Sequence, residues 1–333
     1  MRSACVIGSG SFGTALTSVL SSTSERVMIW GRDAELIAAI NERHENPSYL
    51  PGIPLAANVR GTTSLEEALE HAELVVSATP SHATREVMRR AVPHLPKHVP
   101  IITVSKGIEN ETLLTMTELL EDCLPEEFHP YLAVLSGPSF AKELAARQPT
   151  VVTIASHWEK VALRCQQAFR TETFRSYTSR DVIGVQAGGA LKNVIAIASG
   201  ISDGIGFGHN ARAALITRGL AEISRMALRM GGNPLTLSGL SGMGDLVLTC
   251  TGELSRNRRV GIEVGKGKPL AEILGDMKQV AEGVKTARSA RDLAQKYGVE
   301  LPICEQVYCM LYEGKNPKLA TVELMTRQPK AEL

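Results

Sequence analysis

The sequence predicts an α/β fold in two parts: a doubly wound parallel sheet over residues 1–180, then an all-α part over residues 181–333. Two observations carry this reading. Short β-branched apolar runs alternate with amphipathic stretches through the first half, which is the rhythm of βαβ units. After about Asp181 that rhythm stops, and helical periodicity with Gly-rich joints replaces it.

Strands are read at 4–8, 26–30, 74–78, 101–105, 132–135 and 151–155, with helices at 14–20, 34–40, 84–91, 113–123 and 158–169. The strands are apolar throughout rather than alternating, as a sheet covered on both faces requires. The Pro-rich segment from Asn46 to Pro54 reads as an irregular excursion. Beyond residue 181, Val194, Ile197, Ala198 and Ile201 recur at helical spacing, and Leu215, Leu220, Ile223 and Met226 do so more loosely.

A chain of 333 residues can bury its core without disulfide or metal staples. Its 36 Lys and Arg balance 35 Asp and Glu, a formal charge of +1 that offers no footprint for nucleic acid or an anionic membrane. No apolar run approaches the ~18 residues of a membrane span, and the N-terminus lacks the pattern of a signal peptide. The six cysteines form no C-x-x-C pair and read as thiols of a reducing compartment. The expectation is a cytoplasmic protein with neither a nucleic-acid partner nor a membrane span. The eight histidines show no ligand spacing, so no metal is expected.

Val6-Ile7-Gly8-Ser9-Gly10-Ser11-Phe12-Gly13 places G-x-G-x-x-G directly after the first strand and before a helix. That context is what a dinucleotide-binding Rossmann turn demands. Gly8 makes the tight turn, Gly10 lets the backbone approach a pyrophosphate, and Gly13 packs helix on strand. The next helix aims its first amides at the phosphates. The second strand ends at Trp30-Gly31-Arg32-Asp33, about 20 residues on, where the adenosine ribose is read. Asp33 fits either a ribose contact or an N-cap. Arg32 is the better adenosine contact and permits a 2′-phosphate, leaving NAD or NADP as the cofactor.

Ligands of such sheets sit beyond the carboxyl ends of the strands. Those ends read Thr79-Pro80-Ser81-His82, Ser105-Lys106-Gly107 and Ser136-Gly137-Pro138-Ser139-Phe140. Lys106 is either a cation facing an anionic ligand or a solvated loop lysine. Gly137 and Ser139 offer close backbone approach and a hydroxyl, or a simple turn.

In the helical part, Lys192 and Asn193 interrupt a small, apolar helix preceded by Gly188 and Gly189, which allow tight packing. Burial there lowers a lysine's pKa towards neutrality and suits it to proton transfer; the other reading is a lysine that snorkels at the rim of an interhelical contact. Asp245 and Thr249 are four apart on one helical face; Asp245 either orients a polar group or caps the helix. Ser255 is an N-cap candidate, and with Arg256 and Asn257 it makes an anion site at a helix start. Arg258 and Arg259 read as a solvated face.

These residues resemble the NAD(P)-dependent glycerol-3-phosphate dehydrogenases of the bacterial type. The resemblance rests on the Gly8-to-Gly13 loop, Val104-Ser-Lys-Gly107, Ser136-Gly-Pro-Ser139, Gly188-Gly-Ala-Leu-Lys-Asn-Val-Ile-Ala-Ile197 and Ser202-Asp-Gly-Ile-Gly206. It continues through Asn210, Leu215-Ile-Thr-Arg-Gly-Leu220, Gly244-Asp-Leu-Val-Leu-Thr-Cys-Thr251 and Ser255-Arg-Asn-Arg258, in order from about residue 4 to 325. It implies reversible hydride transfer between sn-glycerol 3-phosphate and dihydroxyacetone phosphate, in service of phospholipid synthesis.

By resemblance, Lys192 is the general acid–base on the C2 oxygen. Lys106 and Asp245 complete the polar pocket, which Asn193 and Thr249 line. Ser255, Arg256 and Asn257 hold the substrate phosphate, with Gly137 and Ser139 near the substrate. Besides Gly8, Gly10 and Gly13, the cofactor contacts would be Ser11, Phe12, Arg32, Lys106, Ala141, Arg256, Val280 and Glu282. Many relatives carry a histidine before the adenosine-site arginine, where this chain has Gly31. The alternative is a 6-phosphogluconate or β-hydroxyacid type of dehydrogenase, which shares the lysine–asparagine pair. A homodimer is the default assembly for a soluble enzyme.

Overall fold

The computed structural model describes residues 1–277, 281–329 and 331–332. Among them are ten strands: β1 (Ser3–Ile7), β2 (Arg26–Trp30), β3 (Glu45–Asn46), β4 (Leu50–Pro54), β5 (Val59–Thr62), β6 (Leu74–Ser77), β7 (Ile101–Thr103), β8 (Leu132–Ser136), β9 (Thr150–Ala155) and β10 (Phe174–Ser179). Eight form one sheet in the order β10-β9-β8-β7-β6-β1-β2-β5. From β5 to β8 all neighbours are parallel. The strand order reverses between β1 and β6, which is where a doubly wound sheet opens its crevice.

Residues on opposite faces of the central strands belong to different cores. Ala4, Val6, Val27 and Ile29 pack into one, and Cys5, Ile7, Met28 and Trp30 into the other. Burial on both faces is why these strands read as continuous apolar runs.

The α/β architecture of the sequence is the one observed, with differences at its margins. β5 and β10 were not read because they are the two edges of the sheet. Edge strands carry polar residues, here Val-Arg-Gly-Thr and Phe-Arg-Ser-Tyr-Thr-Ser. β9 runs antiparallel to β8, and β10 follows β9 in parallel. The excursion at 46–54 contains an antiparallel pairing of β3 with β4. The helix read from 113 begins instead at Met116, behind a Thr115–Glu118 capping box.

The last sheet strand ends at Ser179, and the helix Val182–Ile205 begins almost at once, with Asp181 accepting a hydrogen bond from the Gly184 amide as its N-cap. This helix is the axis of the second core, and among the described residues that follow it there is no strand. By length and composition it could cross a membrane, contrary to the reading that no segment approached that limit. Yet 94% of its most apolar stretch is buried within the protein. The helix Arg256–Gly265 packs on it backbone to backbone. A Cβ on Gly200 would lie 2.0 Å from the Arg258 carbonyl oxygen, and one on Gly261 2.1 Å from that of Ile197.

Candidate active site

A cleft of about 1020 Å³ runs from the glycine loop to the middle of the helix Val182–Ile205. At one end the loop after β1 meets the helix Ser11–Leu20. Gly8 has φ +127°, and a Cβ there would sit 2.6 Å from the Ala78 carbonyl oxygen, so glycine is required. At Gly10 a Cβ would meet no atom within 4 Å. The backbone is therefore open to a ligand just where a pyrophosphate would approach, and the loop fits a dinucleotide.

Asn46 holds this loop from behind. Its buried amide donates to the Ser9 carbonyl oxygen and to Thr14 Oγ1, each at 2.8 Å. Sequence reasoning did not find Asn46; the only signal was its place at the start of the Pro-rich excursion. Tyr49, Leu50, Pro51 and Ile53 of that excursion also line the cleft. Arg32 lies at its wall, while Asp33 accepts a hydrogen bond from the Leu36 amide at 3.1 Å and so caps a helix.

At the other end two lysines converge on one carboxylate. Lys192 Nζ donates to Asp245 Oδ1 at 2.5 Å and to Thr249 Oγ1 at 2.7 Å. Lys106 Nζ donates to Asp245 Oδ2 at 2.8 Å and to the Gly137 carbonyl oxygen at 2.9 Å. Lys106 is thus bound into the site rather than solvated. Asp245 is the first residue of the helix Asp245–Thr251 and does not cap it. Its carboxylate, 1% exposed, accepts from both lysines and, at 3.5 Å, from Thr249 Oγ1. Burial pulls the Lys192 ammonium down to about 8; Asp245 opposes that pull and the Lys106 charge reinforces it.

The glycines before Lys192 give the close packing expected of them. A Cβ at Gly188 would lie 2.4 Å from the Ser241 carbonyl oxygen, and one at Gly189 2.6 Å from Ser136 Oγ. Gly137 has φ +145°, with Val152 Cα 2.9 Å from where its Cβ would be.

The third group is the start of the helix Arg256–Gly265, which Ser255 caps by accepting from the Arg258 amide at 3.2 Å. Arg256 lines the cleft. The Asn257 side chain is committed to the protein. It donates to Asn193 Oδ1 at 3.0 Å and accepts from the Gly283 amide at 2.9 Å. Arg258, read as solvated, is instead paired with Asp203 at 2.7 Å, with 16% of its side chain exposed. The reading failed because the partner comes from a different helix. Arg259 is exposed, as expected.

Of the predicted residues, Gly8, Gly10, Ser11, Phe12, Gly13, Arg32, Lys106, Ser139, Ala141, Lys192, Asn193, Thr249, Ser255, Arg256, Asn257 and Glu282 all line this cleft. Gly137 and Asp245 stand behind it, bonded to the lysines. Val280 lies outside the described residues. Glu282 reaches across to the start of the helix Ser81–Ala91, where its carboxylate accepts from the backbone amide of Ser81 at 3.1 Å and from its hydroxyl. Among the described residues no group of His, Cys, Asp and Glu could hold a metal ion.

Comparison with known proteins agrees with this geometry. Residues 3–162 match the profile of the NAD-dependent glycerol-3-phosphate dehydrogenase N-terminus, and residues 181–322 that of its C-terminus. The glycerol-3-phosphate dehydrogenase [NAD(P)+] of Myxococcus xanthus is 74% identical over 98% of both chains. That of Anaeromyxobacter dehalogenans is 56% identical over 99% of both. The crystal structure of the Coxiella burnetii glycerol-3-phosphate dehydrogenase superposes with a TM-score of 0.92 at 37% identity, covering 98% of this chain and 99% of its own. The chain belongs to the NAD(P)-dependent glycerol-3-phosphate dehydrogenase family, with a dinucleotide-binding sheet and a helical second part.

Proposed function

We propose that Lys192 is the general acid–base of the NAD(P)-dependent interconversion of sn-glycerol 3-phosphate and dihydroxyacetone phosphate, the oxidoreduction of this family. The supporting observation is the Lys192–Asp245–Lys106 cluster at the cleft wall. Reducing a ketone builds negative charge on its oxygen, and a buried ammonium both stabilises that charge and supplies the proton. Thr249 and Asp245 hold Lys192 Nζ in place. Lys106 adds a second positive charge beside the reacting oxygen. The nicotinamide supplies or accepts the hydride.

Ser255, Arg256 and the first turn of their helix hold the substrate phosphate, whose charge the helix start and the guanidinium both favour. Asn257 braces this turn, its side-chain amide bonded to Asn193 and to the Gly283 backbone. Gly137 presents its carbonyl to Lys106, and Ser139 Oγ donates to that same carbonyl at 2.9 Å. The glycine loop, Ser11, Phe12, Arg32, Ala141 and Glu282 form the cofactor's wall. The division of labour falls at residues 180/181, with all of the cofactor wall except Glu282 before it and the acid–base Lys192 and the phosphate groups on the helices after it. The six unpaired thiols support a cytoplasmic setting, and a homodimer is the assembly assigned by default.

Nicotinamide absorbance tests this reading. Dihydroxyacetone phosphate should oxidise NADH or NADPH in the protein's presence, and unphosphorylated dihydroxyacetone should do so poorly. No oxidation of either cofactor, despite measurable cofactor binding, would remove this substrate and turn attention to β-hydroxyacids. The ratio of the two cofactors reads out what Arg32 recognises.

A further inference from the structure

We propose that Asp203 is a positioning residue for the substrate phosphate, acting through Arg258 on the first turn of the helix that begins after Ser255. This rests on the assignment of that turn as the phosphate site.

Asp203 lies in the last turn of Val182–Ile205, the helix that carries Lys192 eleven residues earlier. Its carboxylate is 10% exposed and serves two guanidinium groups. Oδ2 accepts from Arg258 Nε at 2.8 Å and from its terminal nitrogen at 2.7 Å. Oδ1 accepts from Arg212 Nε at 3.1 Å and from its terminal nitrogen at 2.5 Å. Three helices are thereby tied at one point: the lysine helix, the helix His209–Arg229 and the phosphate helix.

Arg258 is the third residue of the phosphate helix, and its backbone amide is the one that Ser255 caps. Fixing its side chain fixes the rotation of the turn that presents Ser255 and Arg256. The glycine contacts already hold the two helices backbone to backbone, so their separation is set. Rotation and slide of the first turn remain, and the ion pair constrains both. The distance from Lys192 Nζ to the phosphate turn therefore depends on Asp203. Displacing that turn loosens its hold on the phosphate, and misplacing the bound substrate lowers the rate as well.

There is also a charge argument. Without Asp203, Arg258 and Arg212 are two largely buried cations with no anion, close to a site that binds one. Arg258 would then turn towards the phosphate and draw it away from Lys192.

The test is steady-state kinetics of Asp203→Asn and Asp203→Glu on the full chain, with the inhibition constant for inorganic phosphate measured alongside. Asp203→Asn should change KM for dihydroxyacetone phosphate and the phosphate inhibition constant by about tenfold or more, while KM for the nicotinamide cofactor stays within about twofold. Asp203→Glu, which keeps the charge, should recover part of the change. Should Asp203→Asn not fold, Arg258→Gln removes the same link from the other side and should give the same split. Arg212→Met leaves the Asp203–Arg258 pair intact and should leave both phosphate readouts near wild type.

A loss of active protein or of kcat alone, with phosphate inhibition unchanged, would mark Asp203 as merely structural and overturn the proposal. Arg256→Ala separates the two levels of the argument. If it raises KM for the phosphate substrate while Asp203→Asn and Arg258→Gln do not, the phosphate site stands and only the positioning role falls. If Arg256→Ala changes nothing, the phosphate site itself is misassigned.

Discussion

Replacing Asp245 with Asn removes the one negative charge between two lysines and changes little else in shape. Asp245 is the largest factor opposing the burial that lowers the Lys192 ammonium to about 8. An opposite charge at this distance raises an amine's pKa by about 1–3 units, so its loss should lower Lys192 by a similar amount. At pH 7.5 a lysine with a pKa of about 8 is about three-quarters ammonium; lowered by ~2 units it is about 3% ammonium. With Lys192 as the proposed acid, kcat/KM for dihydroxyacetone phosphate at that pH should fall about 25-fold from protonation alone. The assay is kcat/KM for reduction and for oxidation between about pH 5.5 and 9.5, which reports the free enzyme. The wild-type kcat/KM for reduction should fall as pH rises through about 8, and that for oxidation should rise through the same value. In Asp245→Asn both limbs should move to lower pH. Breaking a buried pair costs about 3–5 kcal/mol of stability, so thermal melts must show that the variant is folded. A folded variant whose limbs stay within about 0.3 units of wild type would refute the claim that Asp245 tunes Lys192.

Lys192→Ala should lower kcat by about 10²–10⁴ while cofactor affinity, measured by fluorescence titration, survives; turnover within about threefold of wild type would end its acid–base role. Arg256→Ala should mainly raise KM for dihydroxyacetone phosphate, by an amount that salt reduces, and an unchanged KM would place the phosphate elsewhere. Glu222, far from the cleft, accepts from the Ile303 and Cys304 amides at 2.7 and 3.2 Å, and burial raises its carboxyl from 4.5 to about 7. The folded state therefore keeps a proton that the unfolded chain releases. The stability this contributes is full below pH 4.5 and is lost as pH rises towards 7, by about 3 kcal/mol at most. Glu222→Gln should flatten the dependence of Tm on pH over that window; parallel curves for variant and wild type would contradict it.

Most of the central sheet was legible because its strands are buried on both faces and so carry no polar interruptions. The edges were not legible, because β5 and β10 meet solvent and their polar residues mimic loops. The glycine loop was readable for a local reason: its requirements are all met within six residues. Lys192 was readable from the cost of placing a charge in a small, apolar helix. Its relation to Lys106 was not, since Lys106 and Asp245 are 139 residues apart and only the fold brings them together. The same limit explains Arg258, which reads as a surface arginine until Asp203 is placed beside it. It also explains Asn257, whose amide spans two helices that the sequence presents as separate.

The charges of the site bear on why the lysine is held where it is. Arg32, Lys106, Lys142, Lys192 and Arg256 outnumber Asp33, Asp245 and Glu282 along the cleft, so it is poised for an anion. While it is empty of one, the Lys106 charge and burial both press Lys192 to lose its proton. A substrate phosphate brings negative charge and excludes water, which strengthens its attraction to every ammonium in the cleft. Binding therefore raises the Lys192 pKa and retains the proton that ketone reduction will need. The same coupling works against oxidation, which begins from a neutral amine. Oxidation of glycerol 3-phosphate must then be favoured at higher pH, where the amine is neutral despite the bound phosphate. In the proposed mechanism a single carboxylate shared between two lysines thus lets one residue serve both directions, with proton occupancy following the ligand.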